Sequence, residues 1–152
     1  MKKTICATMG FASALAFAPL ASADPTAGHF TNVLTQAPEM LCTIGSDDAE
    51  PAFGPNVVCQ VRQGKGFPGS AIDPASVMYL HQAVITAAGQ FKYRDANIAT
   101  GGDDFNPLTL TNASIYNLQG WTVTRDTDGV TFTNDATSHG MTIDADWGVK
   151  AF

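Results

Sequence analysis

The chain of 152 residues is short of charge, above all of positive charge. Only 14% of its residues are charged, with eight Lys and Arg against 14 Asp and Glu. A formal net charge of −6 repels phosphate backbones, and no basic run or Arg–aromatic cluster offsets it. Nucleic acid is therefore disfavoured as a partner, and so are anionic membrane surfaces. Cysteine is scarce, with three residues and no C-x-x-C spacing. The three histidines, His29, His81 and His139, are too scattered for a zinc motif such as H-E-x-x-H. No G-x-S-x-G elbow presents a strained serine, and no glycine-rich phosphate loop of standard spacing occurs. These absences leave no metal and no cofactor to expect.

Long apolar runs are absent after the first 20 residues. Met1-Lys2-Lys3 is a short basic start, Thr4 to Leu20 is apolar, and Ala21-Ser22-Ala23 fits the small-x-small cleavage pattern before Asp24-Pro25. Gly10 and Pro19 interrupt the run and no stop-transfer charge follows it, which argues against a membrane span. Residues 1–23 read as a signal peptide, and the mature chain should carry no membrane anchor. Cleavage would remove Lys2 and Lys3 but no acidic residue, taking the net charge from −6 to −8.

Loss of Cys6 with the leader would leave Cys42 and Cys59, and two cysteines in an exported chain predict one disulfide. Closing so short a loop stabilises a fold by about 3 kcal/mol on chain-entropy grounds.

The most regular pattern lies between Gly120 and Asp144. Trp121 and Val123 alternate with Thr122 and Thr124, and Val130 and Phe132 with Thr131 and Thr133. Met141 and Ile143 alternate again. This is the period of strands with one buried and one wet face. Asp126-Thr-Asp-Gly129 supplies turn chemistry, with Gly129 expected at positive φ.

Upstream, Met40–Gly45 and Asn56–Gln63 read as strands pinned by the disulfide, with Val57, Cys59 and Val61 on one face. Ser46–Pro55, Gly64–Pro74 and Ala99–Pro107 read as loops. Val77–Thr86 and Gln90–Tyr93 read as a hairpin, and Leu108–Leu110 and Ile115–Leu118 as short strands. Val149–Phe152 should close the sheet. Residues 24–39 read as an N-terminal arm, in which His29-Phe30 and Val33-Leu34 could make a short helix or a loose segment. Residues 40–152 then form a single all-β domain, a small antiparallel sandwich or partly open barrel.

Several stretches resemble a group of small exported proteins of mycobacteria and related actinobacteria. They are the Ala21-Ser22-Ala23-Asp24-Pro25 junction, the cysteines in LCTIG and NVVCQV, Gly120-Trp-Thr-Val123, Phe132-Thr-Asn-Asp135, His139-Gly-Met141 and the terminal Phe152. Ser138 departs from the pattern, standing where glycine is expected before His139. The resemblance implies secretion, a disulfide and a β-rich fold, and it carries no activity.

Candidate chemistry is sparse. Ser138-His139 are adjacent, so on a strand they would point apart and form no nucleophile–base pair. The competing reading is a loop in which His139 bonds backbone and Gly140 supplies a turn. Asp126-Thr-Asp-Gly129 and Asp144-Ala-Asp-Trp-Gly148 hold carboxylates two apart, as calcium loops do. They lack the further oxygens and final Glu of an EF-hand, so side-chain-stabilised turns are favoured. His81, in an apolar run, reads as a hydrogen-bonded structural residue. Most of the aromatics should be core, leaving Tyr79, Tyr93, Trp147 and His139 as candidates for ligand contact. The combination points to a secreted, non-enzymatic binding module of the extracellular space or cell envelope, with an unidentified partner there. A small hydrolase of envelope glycan or lipid and a structural envelope protein are the alternatives.

Overall fold

The computed structural model describes residues 21–22, 30–36, 39–46, 54–62, 66–75, 78–98 and 105–152. The apolar start of the leader, most of the predicted 46–55 loop and much of the 99–107 loop lie outside the described residues. Among the described residues there is no helix, and the strands in chain order are β1 (Ala21–Ser22), β2 (Phe30–Gln36), β3 (Glu39–Gly45), β4 (Asn56–Val61), β5 (Ile72–Asp73), β6 (Met78–Tyr79) and β7 (Gln82–Thr86). The second half supplies β8 (Phe91–Arg94), β9 (Leu108–Thr109), β10 (Ser114–Leu118), β11 (Trp121–Arg125), β12 (Gly129–Asn134), β13 (Gly140–Asp144) and β14 (Val149–Ala151).

Two six-stranded sheets result, in the orders β1-β10-β11-β12-β13-β14 and β8-β7-β4-β3-β2-β9, with β5-β6 a separate ribbon. Neither sheet closes into a barrel; the fold is a sandwich. The first sheet is the expected meander. Val123 pairs Phe132, Val130 pairs Ile143 and Phe132 pairs Met141, so the alternate apolar positions fall on one face and are wholly buried. Burying each such side chain contributes about 1.5–3 kcal/mol.

In the second sheet Val33, Cys42, Cys59, Ala83 and Tyr93 form one cross-strand row. Cys42 and Cys59 are direct cross-strand partners joined by the predicted disulfide. That row faces the meander, and residues of both sheets make one continuous core. The sheets are also tied by Gln119 Nε2 donating to Thr31 Oγ1 at 3.1 Å and Thr137 Oγ1 donating to the Ala87 carbonyl at 2.6 Å.

Two local expectations change. The segment around Phe30 and Val33-Leu34, expected as a short helix or loose arm, lies in a seven-residue strand. Leu34 and Val33 find partners on β3 that no local signal announces. The predicted 64–74 loop contains β5 and delivers Phe67, fully buried, into the core. Gly129 takes the expected positive φ, 158°, and a Cβ there would also meet the Ile143 carbonyl. At the junction, the backbone of Ala21–Ser22 lies parallel to β10, opposite Tyr116 and Asn117.

Arg125 is the one charged residue among the buried polar side chains described, 3% exposed on the inward face of β11. Its Nη1 donates to the carbonyls of Asp126 and, at 2.6 Å, Gly129. The guanidinium therefore closes the β11–β12 turn from inside, which compensates its desolvation.

Candidate functional site

The strand period that sends Val57, Cys59 and Val61 inward sends Asn56, Val58 and Gln60 to the outer face of the disulfide sheet. The neighbouring strands continue that face. Gln60, Gln82 and Arg94 form one cross-strand row, and Asn32, Thr43, Val58, Val84 and Lys92 the next. An outer face of this kind is usually wet, but here Asn56, Val58, Gln82, Val84 and Thr86 are buried. The chain leaving β8 turns back over it. Asn97 Oδ1 accepts from Gln60 Nε2 at 3.3 Å, and the Ile98 amide donates to Gln60 Oε1 at 2.5 Å.

Between this segment and the sheet lies a cavity of about 310 Å³, with Asn32, Asn56, Gln82, Arg94 and Asn97 as its principal polar lining and Phe30, Val58 and Ile98 as its apolar part. A smaller one of about 100 Å³ adjoins it, sharing Asn56, Val58 and Arg94 and adding Lys92. The larger lies at the lower end of the range for small-molecule sites, about 300–1,000 Å³.

A hydrogen-bond chain runs along the floor. Arg94 Nε donates to Gln82 Oε1 at 2.7 Å, and Gln82 Nε2 donates to Gln60 Oε1 at 3.1 Å. Gln82, only 1% exposed, is held at both ends of its amide and in turn holds the guanidinium. Asn32 accepts from Thr43 at 2.7 Å, and Asn56 donates to the Gly54 carbonyl at 3.0 Å. Among the described residues neither lining contains Asp, Glu, His, Cys or Ser. Such a surface can orient a ligand through donors and acceptors; its hydroxyl and amine groups are Thr43, Thr86 and Lys92.

The four aromatic and histidine candidates lie elsewhere. Tyr93 and Trp147 share Phe67 as a neighbour, with ring centroids 5.8 Å and 6.4 Å from it, and Phe91 meets Tyr93 edge-on at 4.9 Å. Burial in this cluster raises the Tyr93 phenol above its ordinary value. Trp147 is half-buried and packs against the core, capping the sandwich edge. Tyr79 sits half-buried on the short ribbon.

His139 is exposed beside Gly89, its Nδ1 3.3 Å from the Phe152 carbonyl. Ser138 sits in the turn before it with a φ of 63°, and the His139 ring is turned to the Phe152 carbonyl. His81 meets Asp95 at 3.2 Å. None of these residues lines the two cavities.

Both acidic turns are held by their own backbones. Asp126 Oδ1 accepts from the amides of Asp128 and Gly129, each at 2.9 Å. Asp144 Oδ1 accepts from Asp146 and Gly148, at 2.9 and 2.8 Å. No group of three or more potential metal-ligating side chains occurs among the described residues.

Asn32, Asn56, Gln82, Arg94 and Asn97 escape sequence reading because each is an ordinary polar residue at an outward strand position or in a loop. Amides recur at the outward positions of NVVCQV and QAVIT. That recurrence is the only signal, and it does not distinguish a covered face from an open one. Compared with known proteins, the chain matches no family model, no curated protein and no solved structure.

Proposed function

We propose that the protein is a non-enzymatic binding module that takes a small polar ligand in the outer-face cavity of its disulfide sheet and acts outside the cell or in the envelope. The observation that carries the reading is the cavity itself, walled by fixed amides and a held guanidinium, with no Asp, Glu, His, Cys or Ser among its described lining residues. Export is supported by the leader-like first 23 residues, by the disulfide and by the resemblance to small exported actinobacterial proteins. A disulfide is a feature of oxidising compartments.

Native mass spectrometry of protein recovered from its producer's culture medium tests the reading. Wild type is expected to carry a fixed-mass adduct, and Asn32→Phe, which puts a bulky ring into the lining, to lose it. An adduct of equal occupancy in the variant, or a bare polypeptide in both, would count against this cavity as the site.

A further inference from the structure

We infer that the ligand is a hydroxylated oxyanion, such as an acidic sugar, with its charged group seated on the Nη edge of Arg94; this rests on the cavity being a binding site. Three independent features lead there. First, Arg94 is aimed. Its Nε is committed to Gln82, which is itself buried and tied to Gln60. The terminal nitrogens have no partner among the described residues, and the side chain lines both cavities. A guanidinium fixed through Nε presents two parallel N–H groups, the geometry that matches a carboxylate or a phosphoryl group bidentately.

Second, the local charge opposes that of the chain. A protein with 14 acidic and eight basic residues places Arg94 on both linings and, among the described residues, no carboxylate. That arrangement favours an anion in the cavity while the rest of the surface repels it.

Third, the neutral polar groups are half used. Asn32, Asn56 and Asn97 each have one end of the amide engaged, by Thr43, Gly54 and Gln60 respectively. The other end of each has no partner among the described residues. Amides that offer both donors and acceptors at fixed positions suit hydroxyl groups, which need both. Phe30, 55% exposed at the rim, adds an apolar surface for the C–H face of a ring.

The test is a titration of the secreted protein, followed by amide chemical shifts, with sodium D-glucuronate, D-glucose 6-phosphate and D-glucose. One of the two anions should shift the amides around Asn56, Gln82 and Arg94 saturably, about tenfold or more tighter than glucose, because a charge-assisted pair is lost with the neutral sugar. The tighter anion tells a carboxylate from a phosphate. Arg94→Gln should abolish the preference for the anion over glucose. Asn97→Asp, which keeps the side-chain shape and adds a negative charge to the lining that holds Arg94, should weaken the anion by about tenfold. Glucose bound as tightly as either anion, with no effect of Arg94→Gln, would overturn the oxyanion inference and leave the binding module standing. Absence of saturable shifts at the cavity with all three would overturn this inference too. A ligand of other chemistry in the native mass spectrum would then keep the broader reading, and a bare polypeptide would remove both.

Discussion

Residues that break local rules mark where the tertiary structure overrides backbone preference. Ala113, Gln119, Ser138 and Trp147 all have positive φ without being glycine. For an L-residue this left-handed conformation costs about 1–2 kcal/mol, offset in part when glycine's larger unfolded-state entropy is counted. Ser138 is the informative case, because it holds a φ of 63° in the tight turn before His139. Its backbone amide donates to the Asn134 carbonyl at 2.9 Å, a bond that glycine keeps. Ser138→Gly should therefore stabilise the fold by up to about 1 kcal/mol, read as a raised midpoint in urea with unchanged slope. A lowered midpoint would show that the hydroxyl contributes more than the backbone strain costs.

Strands and turns were legible wherever their logic was local. The meander from β11 to β13 follows from alternation and Asp-Gly turn chemistry, and its register agrees with that pattern. The β3–β4 pair was legible from its cysteines, and their direct opposition makes the disulfide a rung of the sheet's inward face. Cys59→Ala removes that rung and is expected to lower stability by about 2–5 kcal/mol and to reduce secreted yield. Denaturant unfolding measures the first. A thiol titration of native wild-type protein should find no reactive pair, and two titratable thiols would show the bridge unformed. The strand β2 was not legible, since its seven residues carry no turn-bounded alternation strong enough to separate them from an arm. It becomes a strand by pairing along β3 from Phe30 to Gln36. Long-range ladder bonds made that choice.

At the scale of the molecule, the two sheets are joined at one edge by Phe67, which lies between Tyr93 of one and Trp147 near the end of the other. This placement couples a titration to global stability. The folded state holds the Tyr93 proton more tightly than the unfolded chain does, because burial disfavours the phenolate. Unfolding therefore releases a proton between the unfolded value, about 10, and the higher folded one. Stability should be level with pH below that interval and fall as pH rises through it. Tyr93→Phe should flatten this decline, measured as urea midpoints across the alkaline range. An equal decline in the variant would assign the loss to other groups.

The sequence alone determined an all-β chain with one disulfide, which rank and period make visible: cysteines are counted, turns are spelled in Asp and Gly, and inward positions recur every second residue. Tertiary structure alone decided which outward face is covered. Asn56, Gln82 and Arg94 belong to different strands, 38 residues apart from first to last, and each is by itself an unremarkable surface residue. They become a cavity only when three strands align them and the chain after β8 folds back across them. Local pattern records which side of a strand a residue faces; what lies against that side depends on chain far away in sequence.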